Sequence, residues 1–263
     1  MKQKLIFFDI DGTLIKGGTQ KIPDSAIEAI TKARENGHLC FINTGRTGSI
    51  VGEELTGQVE FDGLLLGCGT QIILHGKELF HRTIPVDLGQ HVLECLYKYR
   101  VDAVLEGTFD SFAASKKNMF TDTFRGFLYP SGDRKVLSPL VEAPGNFDKF
   151  FCYAEYKEQM DGFQKELEDE FDFIDREHGF YEVVPRGCSK ASGIYYLAEK
   201  LRIPMEDTVG VGDSTNDLNM FECVGTSIAM KESSKQILKI ADYVTTDVQE
   251  DGIWNGLKWV GVL

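Results

Sequence analysis

The stretch Leu5-Ile6-Phe7-Phe8-Asp9-Ile10-Asp11-Gly12-Thr13-Leu14 decides how the remainder of the chain is read. Four consecutive apolar residues bounded by polar ones have the pattern of a short strand buried on both faces, as in a parallel sheet. The strand ends in two carboxylates, Asp9 and Asp11, followed by Gly12, where the backbone can turn sharply without a Cβ. Open α/β sheets place their ligands just past the carboxyl ends of such strands. Two acids this close repel one another unless a cation or a shared proton relieves them. A lone Asp-Gly would be read as a turn with a spare acid. The buried strand and the Asp-x-Asp-Gly-Thr order together point to a site.

A second stretch of the same kind lies about two hundred residues on. Thr208 to Gly212 is another short apolar run, and it leads into Asp213-Ser214-Thr215-Asn216-Asp217, where Ser214 or Thr215 can cap a helix through Leu218, Met220 and Phe221. Acids converging at strand ends with no Cys or His beside them describe a hard-cation site. Mg²⁺ fits, since it takes oxygen ligands and binds through one or two carboxylates plus substrate phosphate. Zinc does not fit these acids: the histidines are scattered, and no Cys or His pair shows ligand spacing.

Between these stretches, Pro23-Asp24-Ser25 opens a helix that Asn36-Gly37 stops, and Leu39 to Ile42 forms a second buried strand. This βαβ unit brings Thr44 and Gly45 to the same sheet edge as Asp9. There the Thr44 hydroxyl and the Gly45 N–H can donate to a phosphate oxygen, or Thr44 can cap a helix through Ser49, Ile50, Val51 and Leu55. Gly63 to Leu66 is a third strand, and Gln71 to Ile84 alternates as a hairpin around His75-Gly76. From residue 85 to 184 the pattern changes to α+β: a helical stripe at Val92, Leu93, Leu96 and Tyr99, strands near Asp102, Phe147 to Tyr153 and Phe180 to Val184, and a helix through Phe163, Leu167 and Phe171. Ser189 then caps a helix with Lys190 in its first turn, where an ammonium opposes the helix dipole. That placement suggests the charge serves another purpose. Strands at Thr226 to Ala229 and Asp242 to Thr246 follow, with a closing helix in which Trp254 and Trp259 are expected core anchors.

Asp9-Ile10-Asp11-Gly12-Thr13, Thr44-Gly45-Arg46, Lys190 and Gly212-Asp213-Ser214-Thr215-Asn216-Asp217, in that order, resemble the four motifs of the haloacid dehalogenase superfamily. Within it the chain is similar to Cof-type sugar-phosphate phosphatases with a large type IIB α/β cap. Cys68-Gly69 stands where the Cof-like pattern usually carries Asn-Gly, and Ala191 where Gly often follows the lysine. The resemblance implies an α/β fold: a Rossmann-like, doubly wound parallel-sheet core formed by residues 1–84 and 185–263, with an inserted α+β cap at 85–184 that sets substrate specificity. It also implies a Mg²⁺-dependent phosphatase acting on a small phosphorylated metabolite, with a sugar phosphate as the expected class. Asp9 would be the nucleophile forming an aspartyl-phosphate. Asp11 would act as acid and then base. Asp9, the Asp11 carbonyl and Asp213 would hold the metal, with Asp217 orienting Lys190 or a metal-bound water. Thr44, Gly45 and Lys190 would hold phosphate oxygens, and Asn216 would fix the substrate or its loop.

Composition narrows the alternatives. A formal net charge of −13 over 263 residues disfavours a nucleic-acid binder, which needs a basic face. Six widely spaced cysteines without a Cys-x-x-Cys read as reduced thiols. No leader pattern and no apolar run near the roughly 20 residues of a membrane span are evident. A cytoplasmic protein, monomeric or a small homo-oligomer, is the expectation. Two other readings remain open: a phosphomutase of the same superfamily, resembling the phosphomannomutases, and a phospho-accepting regulatory domain of receiver type. In the cap, Lys116, Lys117, Arg125 and Arg134 are candidate substrate contacts, and Phe112, Phe120, Phe124, Phe127 and Tyr129 are expected in its core.

Overall fold

The computed structural model describes residues 2–109, 111–113 and 147–263. In chain order its elements are β1 (Leu5–Phe8), α1 (Asp24–Glu35), β2 (Leu39–Asn43), α2 (Glu53–Thr56), β3 (Gly63–Leu66), β4 (Gln71–Leu74) and β5 (Lys77–His81). There follow α3 (Val86–Tyr99), β6 (Asp102–Glu106), β7 (Ser111–Ala113), β8 (Lys149–Tyr153), α4 (Lys157–Leu167), β9 (Phe171–Asp175) and β10 (Phe180–Pro185). The chain closes with α5 (Lys190–Leu201), β11 (Thr208–Gly212), α6 (Leu218–Cys223), β12 (Thr226–Ala229), α7 (Lys235–Ile240), β13 (Tyr243–Val244) and α8 (Gly252–Trp259). The described residues pack as two compact units, one of Met1–Arg46, Val51–His81 and Cys188–Leu263, the other of Thr47–Ile50 and Arg82–Gly187.

The first unit is built on an eight-stranded sheet of order β13-β12-β11-β1-β2-β3-β4-β5. Its first six strands run parallel, and β4 and β5 turn back as an antiparallel hairpin. β1 lies at the centre, paired with β2 on one side and β11 on the other, and all four of its residues are buried. Strand alternation sends Ile6 and Phe8 into a core shared with Ala29 and Ile30 of α1 and Leu257 of α8, and Leu5 and Phe7 into a second core with Ile194 of α5, Met220 of α6 and Ile237 of α7. Covering both faces with helices explains why the strand is apolar at every position. Pro23 and Gly37 bound α1 as expected, the latter at φ 89°. The hairpin turns at His75 and Gly76, both with positive φ, as a two-residue hairpin turn requires.

The second unit is an antiparallel sheet of order β7-β6-β8-β10-β9. Its core gathers Val92, Leu93 and Leu96 of α3 and Phe163 and Leu167 of α4 over Phe150 and Cys152 of β8. On β6, β8 and β10, Lys149 is buried between Glu106, at 2.7 Å, and Glu182, at 2.8 Å.

Several local expectations are corrected. No helix begins near Ser49; α2 spans only Glu53–Thr56, entered from an extended Gly52. Phe171 starts β9 and does not extend the preceding helix, which ends at Leu167. β13 is confined to Tyr243–Val244. Trp259 is 48% exposed and stacks on Tyr243, with ring centroids 4.4 Å apart, while Trp254 packs against the core as expected. Phe120, Phe124, Phe127, Tyr129, Lys116, Lys117, Arg125 and Arg134 lie outside the described residues. No disulfide joins the six cysteines. Among the described residues no helix is long and apolar enough to cross a membrane.

Candidate active site

Parallel pairing of β2, β1 and β11 carries their carboxyl ends to one edge of the sheet. Pairing with β11 continues one residue past β1, the Asp9 N–H donating to the Val211 carbonyl at 3.0 Å, so the Asp9 backbone is held rigidly. Oxygens of Asp9, Asp213 and Asp217 lie within 4.8 Å of one another. Lys190 reaches this cluster from the first turn of α5 and is 1% exposed. Its Nζ donates to Asp9 Oδ1 and to Asp217 Oδ1, each at 2.6 Å. Opposing the helix dipole costs about 0.3–1 kcal/mol, and each charged hydrogen bond contributes roughly 1.5–3 kcal/mol. The two bonds outweigh the dipole.

The local sequence explains how each group is fixed. Ser189 caps α5, its Oγ accepting from the Ser192 N–H at 3.0 Å while Ser192 Oγ accepts from the Ser189 N–H at 2.9 Å. Beyond β11, Asp217 Oδ2 accepts from the backbone N–H groups of Asp213 (3.0 Å) and Ser214 (3.1 Å), closing the turn that opens the next helix. Both Asp217 oxygens therefore have donors. Among the described residues Asp9 Oδ2 accepts no hydrogen bond, and the side chain of Asp213 is met by Thr13 Oγ1 at 3.4 Å. Two glycines make the approach possible. A Cβ on Gly12, at φ 80°, would lie 2.6 Å from Asp213 Cγ, and one on Gly212 would lie 2.6 Å from Asp217 Cγ.

Asp11 stands apart from the cluster. Its side chain is 58% exposed and is gripped by Arg46, Nε donating to Oδ2 at 2.8 Å and Nη2 to Oδ1 at 2.5 Å. Thr44 is buried, and its Oγ1 accepts from the Arg46 N–H at 3.1 Å, so it stabilises the turn after β2 and caps no helix. Gly45 follows, half-buried. Asn216 is buried, with Oδ1 accepting from Ser214 Oγ at 2.7 Å.

Two residues matter here that sequence reasoning had left without a role. One is Arg46, the partner of Asp11. The other is Asn43, fully buried at the end of β2, whose Nδ2 donates to the Lys190 carbonyl at 3.2 Å while its Oδ1 has no partner among the described residues. A buried amide next to the Thr-Gly-Arg stretch was the available signal.

The electrostatics fit a cation. Three carboxylates face one ammonium. Burial, with Asp217 and Asp11 nearby, pushes the Asp9 carboxyl up to about 7 despite Lys190, and burial with Asp9 and Asp217 pushes Asp213 to about 8. Burial would pull Lys190 down, but Asp217 and Asp9 hold its ammonium above the ordinary range. The surplus negative charge, borne on oxygens alone, suits Mg²⁺. A carboxyl raised in the folded state contributes stability that is full below its unfolded value near 3.8 and is lost as pH rises through the folded one. In EDTA the thermal midpoint should therefore fall between pH 5 and about 8.5. Buried Glu106, also raised by burial, adds to that fall, so two controls isolate this cluster. Mg²⁺ should restore the midpoint at the alkaline end, and Asp213→Asn should flatten the loss. A midpoint insensitive to Mg²⁺ at pH 8.5 would contradict the cation assignment.

A family model described as haloacid dehalogenase-like hydrolase matches residues 6–257. The Bacillus subtilis strain 168 protein YkrA is 30% identical over 274 residues, covering 100% of both chains. The "5-amino-6-(5-phospho-D-ribitylamino)uracil phosphatase YitU" of the same strain is 25% identical, over 98% of this chain and 97% of its own. Among solved structures, BT1666 from Bacteroides thetaiotaomicron, described among phosphatases of the haloalkanoate (HAD) enzyme superfamily, superposes with a TM-score of 0.85 at 24% identity, covering 99% and 96% of the two chains.

Proposed function

Because the chain belongs to the haloacid dehalogenase-like hydrolases, we propose that it is a Mg²⁺-dependent phosphatase that hydrolyses a small phosphorylated metabolite through a phospho-Asp9 intermediate. The observation that carries this reading is Asp9 itself. Its Oδ1 is held by Lys190, and its Oδ2 accepts no hydrogen bond from the described residues. A carboxylate so placed is an oriented nucleophile.

Asp9 and Asp213 would hold the cation through their carboxylates, with the Asp11 carbonyl as a further oxygen donor. Asp217, with both oxygens bonded, serves from behind by orienting Lys190. Bound Mg²⁺ supplies charge neutralisation at a phosphate oxygen. Phosphoryl transfer depends mostly on positioning and on charge stabilisation at the equatorial oxygens. Lys190, Thr44 and the Gly45 N–H serve those oxygens, and Asn216 steadies the loop beside them. Asp9 Oδ2 attacks phosphorus as the ester bond breaks. The Arg46 fork holds Asp11 as a carboxylate in the resting site. To act as general acid, Asp11 leaves that fork, takes up a proton from solvent and gives it to the leaving alkoxide. It then takes a proton from the water that cleaves phospho-Asp9, releasing inorganic phosphate. The second compact unit is the substrate-reading cap. The name of YitU, a phosphatase of a phosphorylated ribitylamino compound, supports a polyol or sugar phosphate as the class.

The mutase reading shares every residue named above and differs in where the phosphoryl group goes. Followed by phosphorus NMR with a hexose 1-phosphate and Mg²⁺, the protein should release inorganic phosphate in step with free alcohol, without a bisphosphate activator. Faster appearance of the 6-phosphate isomer would establish the mutase. Undiminished turnover in excess EDTA would remove the metal from the reading.

A further inference from the structure

The second unit holds a donor cluster of a different chemistry from the aspartates. His91 and Cys95 are a pair with helical ligand spacing that the reading of the sequence missed: they stand four residues apart on α3, on one helical face. Glu166, on α4, faces them, and the ligand atoms of the three side chains lie within 4.8 Å of one another. The Cys95 sulfur is 3.8 Å from the nearer ring nitrogen of His91. Bond lengths of about 2.3 Å to sulfur and about 2.0 Å to nitrogen put such a pair roughly 3.5 Å apart around a tetrahedral zinc. The helices are already locked together here. Gly162 of α4 packs directly against the Tyr99 ring, and Tyr99 meets Phe163 edge-on at 6.5 Å.

Glu166 is also pre-oriented. Lys98 Nζ and Tyr99 Oη donate to the same oxygen, Oε2, at 2.5 and 2.6 Å, leaving Oε1 to act as a ligand. Hydrogen bonds from outer groups that fix a ligating side chain are a regular feature of metal sites. Cys95 is buried, His91 half-buried and Glu166 at the surface, so the cluster opens outward from the α3–α4 seam.

We propose that His91, Cys95 and Glu166 bind a borderline-soft divalent cation of the Zn²⁺ type, clipping α3 to α4 in a site separate from the aspartate cluster. Sulfur and imidazole donors select such an ion over Mg²⁺. On binding, the Cys95 thiol loses its proton to solvent and the sulfur takes the metal as thiolate, while His91 binds through a neutral ring nitrogen. Water completes the fourth position.

Co²⁺ is the probe that separates the two sites, because only a thiolate ligand produces a sulfur-to-cobalt charge-transfer band. The full chain, with excess Mg²⁺ present, should develop that near-ultraviolet band with one equivalent of Co²⁺. Zn²⁺ should abolish the band by competition and raise the thermal midpoint. His91→Ala and Cys95→Ala should each weaken Zn²⁺ binding at least about tenfold, and Tyr99→Phe should weaken it by about 10–100-fold, as loss of an outer partner typically does. His91→Ala, at a half-buried position, guards against a Cys95→Ala protein that fails to fold, and its unchanged hydrolysis rate would confirm an intact chain. Absence of the band in the wild-type protein, or its persistence in His91→Ala or Cys95→Ala, overturns the assignment.

Discussion

Asp9→Asn is expected to abolish turnover in a protein that stays folded. The replacement is isosteric, and its carbonyl oxygen can still accept from Lys190 where Asp9 Oδ1 now does at 2.6 Å. What it removes is the attacking oxygen. Knocking out a covalent nucleophile typically costs on the order of 10⁶ in kcat, which takes hydrolysis of an aryl phosphate to background. The same change removes one of three crowded carboxylates. The metal-free variant should therefore melt no lower than the wild type at pH 8, where the wild type has the greatest charge crowding. Rate and thermal midpoint together separate chemistry from folding. Full activity in Asp9→Asn would end the nucleophile assignment.

Lys190→Ala should damage both catalysis and stability. Loss of one preorganised contact to the transition state costs about 10²–10³ in kcat. Breaking a buried ion pair by removing one partner costs about 3–5 kcal/mol, because the remaining charge is left uncompensated. Here two carboxylates, Asp9 and Asp217, lose their shared cation at once. Lower pH should recover part of the stability, since protonation relieves the same crowding. A loss of activity under about threefold would mean that the buried lysine serves structure alone.

The two central strands were legible in the sequence for a plain physical reason. A strand buried on both faces is apolar at every position, and Leu5–Phe8 leaves no competing amphipathic period. Lys190 was legible because a lysine in a first helical turn runs against the dipole. Other features depend on contacts that no local pattern contains. The Asp11–Arg46 fork joins side chains 35 residues apart, and the sharing of Lys190 between Asp9 and Asp217 spans far more. The periodic reading of Phe163, Leu167 and Phe171 failed because a strand residue can fall on the helical spacing by coincidence. Asp169 and Glu170 supply no glycine or proline to mark the stop. A helix was also read through Ser49, Ile50 and Val51, yet Gly48 and Gly52 flank that run, and the chain there forms a single turn in which the Ile50 N–H donates to the Thr47 carbonyl at 2.9 Å. Trp259 was taken for an anchor by residue type. It lies in the last turn of α8, where stacking on Tyr243 covers only part of it.

The central place of β1 has a consequence for biosynthesis. Its partner β2 follows within about thirty residues, but its other partner, β11, begins only at Thr208. Closing a loop of that length costs about 5 kcal/mol in chain entropy. At typical synthesis rates the gap lasts roughly 10–40 s. During that interval Leu-Ile-Phe-Phe has an open edge, the kind of unpaired apolar strand that recruits other chains. A nascent polypeptide stalled before residue 208 therefore carries its future nucleophile on an adhesive margin, and is a client for chaperones and proteases before it can be an enzyme.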